Sequence, residues 1–250
     1  MRLTVLGSGT SVPDPQRGPC GLLVEVGARA FLIDGGSGTL QRCAKAGVDP
    51  RTLAGGLYSH YHPDHCADLV PLLFSMRVGP PARATDYPIY AGKGFAAFFD
   101  KLTGAWGKWI EPGEGSVRIH ELSLDGPDEV DLDGMILRTR PANHSASALH
   151  LRLEADGRAV VFSGDTGPSE HLAELARDAD LLVCECAASD EAPIEGHLNP
   201  SAVATIVDAA KPLEVWLTHF YPGTNPTDAV ATVKRTGVAV RRASDLDTWE

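Results

Sequence analysis

Leu57-Tyr58-Ser59-His60-Tyr61-His62-Pro63-Asp64-His65 sets three imidazoles and a carboxylate within six positions, directly after a short apolar run. In extended or turning backbone His60 and His62, two apart, project to one side. Pro63 bends the chain, so that Asp64 and His65 face a second point nearby. Neutral imidazole and carboxylate are the usual ligands of zinc where thiolate is absent. Four such side chains at this density suit two metal ions better than one. A His-rich surface turn is the plain alternative, but it does not account for the matching ligand types that recur later in the chain.

The chain has 250 residues, enough for a substantial core. We read residues 1–250 as a single domain. The net charge of −11 argues against a large nucleic-acid footprint, which needs clustered Lys and Arg. It leaves room for a small phosphorylated substrate in a locally positive pocket. No apolar run approaches bilayer-crossing length. The opening Met1-Arg2-Leu3-Thr4-Val5-Leu6-Gly7 is too short and too quickly interrupted for a signal peptide. The expectation is a cytoplasmic protein with no membrane partner. Five cysteines, an odd number without disulfide-like spacing, fit a reducing compartment. Cys184 and Cys186 flank Glu185 and would share a strand face. With no second Cys pair to complete a thiolate site, they read as small buried residues.

Outward from the quoted stretch, Gly56 to Ser59 reads as the strand that delivers His60. Leu69, Leu72, Leu73 and Met76 recur at helical spacing, which predicts one helix starting at or just after Asp64. Upstream, Arg2 to Leu6 reads as a buried strand, and Leu22 to Val26 with Ala30 to Ile33 as a hairpin. The loop Gly7-Ser8-Gly9-Thr10-Ser11 is followed by no helix pattern, so neither a P-loop nor a Rossmann turn fits. Asp34, at a strand end beside Gly35-Gly36, suits a carboxylate that orients a metal-bound histidine. Thr39 to Ala46 reads as a helix stopped by Gly47.

Downstream, Tyr87 to Ala91 reads as a strand, and Phe95, Phe98 and Phe99 mark a helix. With Trp106 and Trp109 this aromatic segment, 95–109, is a lid, a dimer contact, or ordinary packing. Strands follow at Val117 to Leu124, Met135 to Arg140, Ala148 to Leu153, Ala159 to Phe162, Leu181 to Cys186 and Val215 to Thr218. Pro168 marks a helix start. Asn199 and Pro200 take the N-cap and first positions of another helix, and Thr227 to Arg235 forms the last. Strands first, then strand and helix units, in each half, predict two mixed sheets packed face to face with helices outside.

Just past a strand in each case stand His60, His144, Asp165 and His219. With His62, Asp64 and His65 they make seven candidate metal ligands. This order of motifs, together with Asp34-Gly35-Gly36-Ser37-Gly38-Thr39-Leu40-Gln41, Phe162-Ser163-Gly164-Asp165-Thr166 and Glu185 followed by Gly196-His197, resembles the metallo-β-lactamase superfamily, and within it the ribonuclease Z-like branch. The resemblance implies an αββα sandwich, class α/β, with two Zn²⁺ per chain; Mn²⁺ or Fe²⁺ suit the same ligands. It implies that His60, His62 and His144 hold one ion, that Asp64, His65 and His219 hold the other, and that Asp165 bridges them. A metal-bridging hydroxide oriented by Asp64 would attack phosphorus. His197 would protonate the leaving oxygen, with Glu185 on its other ring nitrogen; its alternative reading is a helix-capping histidine. His120, His150 and His171 match no motif position and read as surface or structural.

Several departures narrow the resemblance. Asp165 stands where many true β-lactamases carry Cys, and His62 is not the Glu of the di-iron flavoprotein branch. The cysteine-rich zinc loop of the carbon–phosphorus-lyase phosphodiesterase branch is missing. So is the basic arm that bacterial tRNA-processing members carry between the positions of His144 and Asp165; a tight hairpin around Asp156-Gly157-Arg158 replaces it. The expected function is therefore hydrolysis of a small-molecule phosphodiester such as a cyclic nucleotide. The alternatives are a ribonuclease Z-type tRNA 3′-end endonuclease, with RNA as partner, an arylsulfatase or lactonase, and a non-catalytic ligand sensor. The resemblance also implies a homodimer.

Overall fold

The computed structural model describes residues 1–113 and 115–250. Strands β1 (Arg2–Gly7), β2 (Gly21–Val26) and β3 (Arg29–Ile33) form an antiparallel meander. β4 (Gly55–Tyr58), β5 (Tyr87–Gly92) and β6 (Val117–Leu122) then run parallel to β3. Parallel pairing needs crossovers, and helices α1 (Thr39–Lys45), α2 (Pro63–Cys66), α3 (Leu69–Val78) and α4 (Phe95–Trp106) supply them. The second half repeats this plan. β7 (Asp128–Asp131), β8 (Ile136–Pro141), β9 (Leu149–Ala155) and β10 (Arg158–Phe162) form a meander. β11 (Leu181–Glu185), β12 (Glu214–Thr218) and β13 (Ala239–Arg242) continue it in parallel, with α5 (Glu170–Leu175), α6 (Pro200–Ala210) and α7 (Pro226–Val233) as crossovers. β14 (Thr248–Trp249) returns to pair with β1. Two sheets of seven strands result, ordered β14-β1-β2-β3-β4-β5-β6 and β13-β12-β11-β10-β9-β8-β7.

The alternation of side chains along each strand divides the core into layers. Val160 and Phe162 of β10 face the other sheet, in the central core with Leu3, Val24, Phe31, Leu57, Leu181 and Trp216. Ala159 and Val161 face outward, against Leu172 of α5, Val203 and Val207 of α6 and Val233 of α7. On the opposite side Leu23, Leu32 and Tyr58 meet Cys43 of α1, Leu69, Leu72 and Leu73 of α3 and Phe95 of α4. This is the expected αββα sandwich. Among the described residues no helix is long and apolar enough to cross a membrane.

Some local expectations need correction. The helix expected from Asp64 onward is two helices, α2 and α3, broken at Ala67-Asp68. The reason is a competing set of hydrogen bonds. The carbonyl of His65 accepts from Gly35 N–H at 2.6 Å, and Asp68 N–H donates to the Gly35 carbonyl at 2.8 Å. The Asp68 carboxylate also accepts from Leu40 N–H. Helical pairing gives way to a clamp on the Asp34–Gly35 turn. The start of α5 is capped by the Ser169 side chain, one residue beyond Pro168. Strands β7, β13 and β14 were not expected. β7 is an acidic edge strand whose exposed residues give no apolar alternation, and β14 has only two residues. Phe95 is buried against Tyr58, whereas Trp106 and Trp109 stand about half exposed and line an open apolar groove with Val70, Pro71 and Phe74.

Gly36 seats the His60–His65 segment against its neighbours. A Cβ there would collide with the Asp64 carbonyl and with the ring of Pro19. Gly36→Ala should therefore cost about 1–3 kcal/mol of stability through overpacking. Urea unfolding checks this, and an unchanged midpoint would contradict so tight a seat.

Candidate metal centre

The carboxyl ends of β4, β10, β11 and β12, with the loop after β8, meet at one edge of the sandwich. Parallel strands commonly present ligands there, because the backbone ends abruptly and side chains of the following loops converge. The chain is locally forced to do so. Asp34 and His219, each just after a strand, take left-handed conformations with φ 53° and 58°, which non-glycine residues rarely adopt. His219 is fixed from below: its N–H and the Thr218 hydroxyl both donate to the Ser8 carbonyl. Ser8 in turn gives its N–H and hydroxyl to Asp245, each at 2.8 Å. The glycine-rich loop after β1 thus acts as a buttress for His219.

His60, His62 and His144 form one group. His62 Nδ1 lies 3.1 Å from His60 Nε2 and 3.2 Å from His144 Nε2. His144 donates from Nδ1 to the Gly196 carbonyl at 2.9 Å, which leaves its Nε2 as a lone pair. Three ring nitrogens thus converge where a single proton on His62 Nδ1 cannot serve both neighbours well. A cation would satisfy all three. Burial pushes His60 strongly down from the ordinary imidazole value, and lowers His62 and His144 as well. The neutral ring is the ligating form.

Asp64, His65 and His219 form a second group. His65 Nε2 and His219 Nε2 each lie 3.2 Å from Asp165 Oδ2 and 4.0 Å from Asp64 Oδ2. Neither nitrogen is in hydrogen-bonding geometry with any partner among the described residues, although both are buried. An orphaned buried polar atom costs about 1–3 kcal/mol, so these two nitrogens fit a metal ion that would occupy their lone pairs. The same Asp165 Oδ2 is 3.9 Å from His60 Nε2 and from His144 Nε2. One carboxylate oxygen therefore stands between both groups. Burial opposes ionisation of Asp165, but His219 and His65 outweigh it and hold the carboxyl well below its usual range. Burial likewise opposes charge on His65, and Asp165, Cys20 and Asp34 together hold it well above the usual imidazole value.

His197 Nδ1 donates to Glu185 Oε1 at 2.9 Å, and its ring lies 4.9 Å from that of His144 and 5.9 Å from that of His219. Glu185 is buried, yet it also accepts from the backbone N–H groups of Thr166, Ala187 and Leu198. Donors aimed at a carboxylate favour its ionised form. We therefore place the pair's proton on His197: burial works against it, but Glu185 raises His197 above the ordinary value. The capping alternative for His197 does not apply, because Asn199 caps α6 and accepts from Ala202 N–H.

Three neighbours went unread in the sequence. Cys20 lies with Asp34 and His65; nothing in its context marks it. Tyr221 packs edge-on against both His197 and His219; its place two residues after His219 was the available signal. Ser59 contacts Asp34 and His60, and its position directly before His60 could have pointed to it. The other histidines lie away from the cluster. His120 stacks on Tyr90. His171 bonds the Pro141 carbonyl. His150 is buried, donates to the Ser163 carbonyl and meets Ser169 Oγ, and burial brings it down to about 4. Cys184 and Cys186 are buried in the outer core.

A family model described as a Beta-lactamase superfamily domain matches residues 29–220. The chain belongs to this superfamily. Its curated relatives include a protein named Ribonuclease Z of Mycobacterium bovis (strain BCG / Pasteur 1173P2), 36% identical over 195 residues that cover 73% of this chain and 69% of that one. A Ribonuclease Z of Mycobacterium sp. (strain KMS) is 30% identical over 267 residues, covering 98% and 93%. These relatives place the superfamily member in the ribonuclease Z-like branch. Among solved structures, the metallo-beta-lactamase fold protein YhfI of Bacillus subtilis superposes with a TM-score of 0.86 at 24% identity, covering 99% of this chain and 98% of that one. Human tRNase Z, short form, gives a TM-score of 0.80 at 20% identity, covering 100% and 99%. These superpositions establish the shared fold. The expectation of a metal-dependent hydrolase rests on the family membership and on these clustered donors.

Metal analysis of the purified, zinc-dialysed chain should find close to two ions. Saturating zinc at roughly a thousand times Kd should stabilise the chelator-treated protein by about 4 kcal/mol per site, seen as a raised Tm. A protein that takes up no metal and shows no shift would contradict the reading of these nitrogens as ligands.

Proposed function

We propose that the chain is a phosphodiesterase working with two divalent cations, and that its substrate class is RNA, cut at a 3′ end, a reading supported by curated relatives named Ribonuclease Z. The observation that carries the first part is the single oxygen of Asp165 lying within 3.2–3.9 Å of four ring nitrogens drawn from both ligand groups. In this reading His60, His62 and His144 hold one cation, Asp64, His65 and His219 the other, and Asp165 serves both. Zinc suits these nitrogen and oxygen donors, with manganese or iron as replacements. When bound, such a pair ionises water near neutral pH and offsets charge on the phosphoryl oxygens.

The chain's own residues do the rest. Asp64 orients the attacking water. His197 holds a proton on Nε2, directed towards the departing oxygen, while Glu185 keeps the ring in place through Nδ1. Burial works against charge on His197, but Glu185 raises it above the ordinary imidazole value, which favours the acid form.

The sequence pattern favoured a small phosphodiester. Relatives named Ribonuclease Z at 36% and 30% identity move the balance towards RNA. One observation still supports the small substrate. β9 and β10 are joined at Asp156-Gly157, with φ 54° and 71°, a tight two-residue turn with no room for an RNA-gripping arm. The net charge of −11 adds to it. The complete donor set supports an enzyme over a ligand sensor. A homodimer in the cytoplasm belongs to this proposal.

A panel of bis-p-nitrophenyl phosphate, cyclic nucleotides, an aryl sulfate, a lactone and a precursor tRNA separates the substrate readings. Cleavage of the precursor at its 3′ side with kcat/KM well above the others supports the RNA reading; efficient turnover of a cyclic nucleotide alone reverses it. His197→Ala should retain metal and lose roughly 10²–10⁴ in kcat for a poor alkoxide leaving group, the usual worth of general acid catalysis, and far less for p-nitrophenolate. The sign with pH follows from the raised value. The acid is present below it, so kcat for the poor leaving group should fall as pH climbs through a point above the ordinary imidazole value of about 6.5, and His197→Ala should lose that limb. A limb unchanged in the variant would remove His197 from this role.

A further inference from the structure

Asp34 is completely buried at the end of β3, in a left-handed conformation that L side chains rarely adopt. Its Oδ1 accepts from Ser59 N–H at 2.7 Å. Its Oδ2 faces both the Ser59 hydroxyl and His65 Nδ1, each at 2.7 Å. A carboxylate only accepts, so both neighbours donate. His65 Nδ1 therefore carries a proton in every state, and Nε2, which faces Asp165, is the nitrogen left for a cation to take over.

Ser59 extends the same logic to a second ring. Its hydroxyl has one proton, and Asp34 takes it. Towards His60 Nδ1, 3.1 Å away, the Ser59 oxygen can offer only a lone pair. His60 must then carry its proton on Nδ1, which leaves Nε2 bare and facing His62 and Asp165. On the two-cation reading His60 and His65 serve different ions, and both also lie in one cluster with Asp165. A single carboxylate thus dictates the protonation pattern of one histidine for each ion.

We propose that Asp34, directly and through Ser59, is a shared positioning residue that sets the ligating tautomer in both cation subsites and so ties their affinities together. This rests on the two-cation reading above. Outer hydrogen bonds of this type are commonly worth 10–100-fold in metal affinity. Ser59 lies in the interior, and its removal to Ala deletes one oxygen without adding volume.

The test uses the full chain. Nitrogen-15 shifts of the histidine rings in the metal-free protein should show His60 as the Nδ1–H tautomer, and Ser59→Ala should shift it towards a mixture. Stepwise competition of zinc against a chromophoric chelator should show one of two ions weakened 10–100-fold in Ser59→Ala and both weakened in Asp34→Asn, with folding of each variant checked by circular dichroism. An unchanged His60 tautomer in Ser59→Ala overturns the Ser59 link. An Asp34→Asn protein that weakens only one ion overturns the sharing. Wild-type protein that binds a single ion contradicts the two-cation reading instead, and the His60 tautomer still decides the Ser59 link on its own.

Discussion

A buried carboxylate oxygen surrounded by imidazole nitrogens is the constraint on which the rest of this molecule turns. Asp165 Oδ2 has His65 and His219 at 3.2 Å and His60 and His144 at 3.9 Å. So many polar atoms, buried and incompletely bonded to one another, are unfavourable in a folded interior unless a ligand answers them. The orphaned Nε2 atoms of His65 and His219 are the plainest sign. The sandwich supplies the rigidity to hold them so. His60, Asp165 and His219 each follow a strand whose inner residues lie in the central core and whose outer residues lie under helices, while Asp64 and His65 lie in α2.

The same edge combines left-handed backbone with close approach. Asp34 and His219 occupy left-handed backbone, and Gly36 brings the Asp64 segment into direct contact with the turn after β3. The α2–α3 break belongs to this pattern. Continuing one helix would have satisfied local propensity; instead the backbone of His65 and Asp68 clamps Gly35. Tertiary contact overrides the local preference because that clamp holds Asp34 and His65 in register. The two halves of the chain contribute unequally. The first brings His60, His62, Asp64, His65 and the positioning pair Asp34 and Ser59. The second brings Asp165, which joins the groups, together with His144, His219, and His197 with Glu185.

The fold was legible because buried strands and amphipathic helices leave strong patterns, and because His60, His144, Asp165 and His219 each follow such a strand. The α6 cap at Asn199 was legible from local chemistry alone. Strands β7 and β14 were not, since an acidic edge and a two-residue pairing owe their existence to neighbours distant in sequence. Cys20 and Tyr221 were hidden for the same reason. Asp34 could be suspected from its place, but its double service to His65 and, through Ser59, to His60 depends on hydrogen-bond geometry that no spacing reveals. The substrate is the least legible feature. On the proposed reading the donor cluster determines how a bond is broken, and surfaces such as the short β9–β10 turn decide what reaches it.

The most direct measurement is anomalous diffraction at the zinc edge from crystals of the zinc-loaded chain. Two peaks per chain are expected, both in contact with the Asp165 carboxylate, one against His60, His62 and His144 and the other against Asp64, His65 and His219. A single peak, or ions bound away from Asp165, would contradict the two-cation reading.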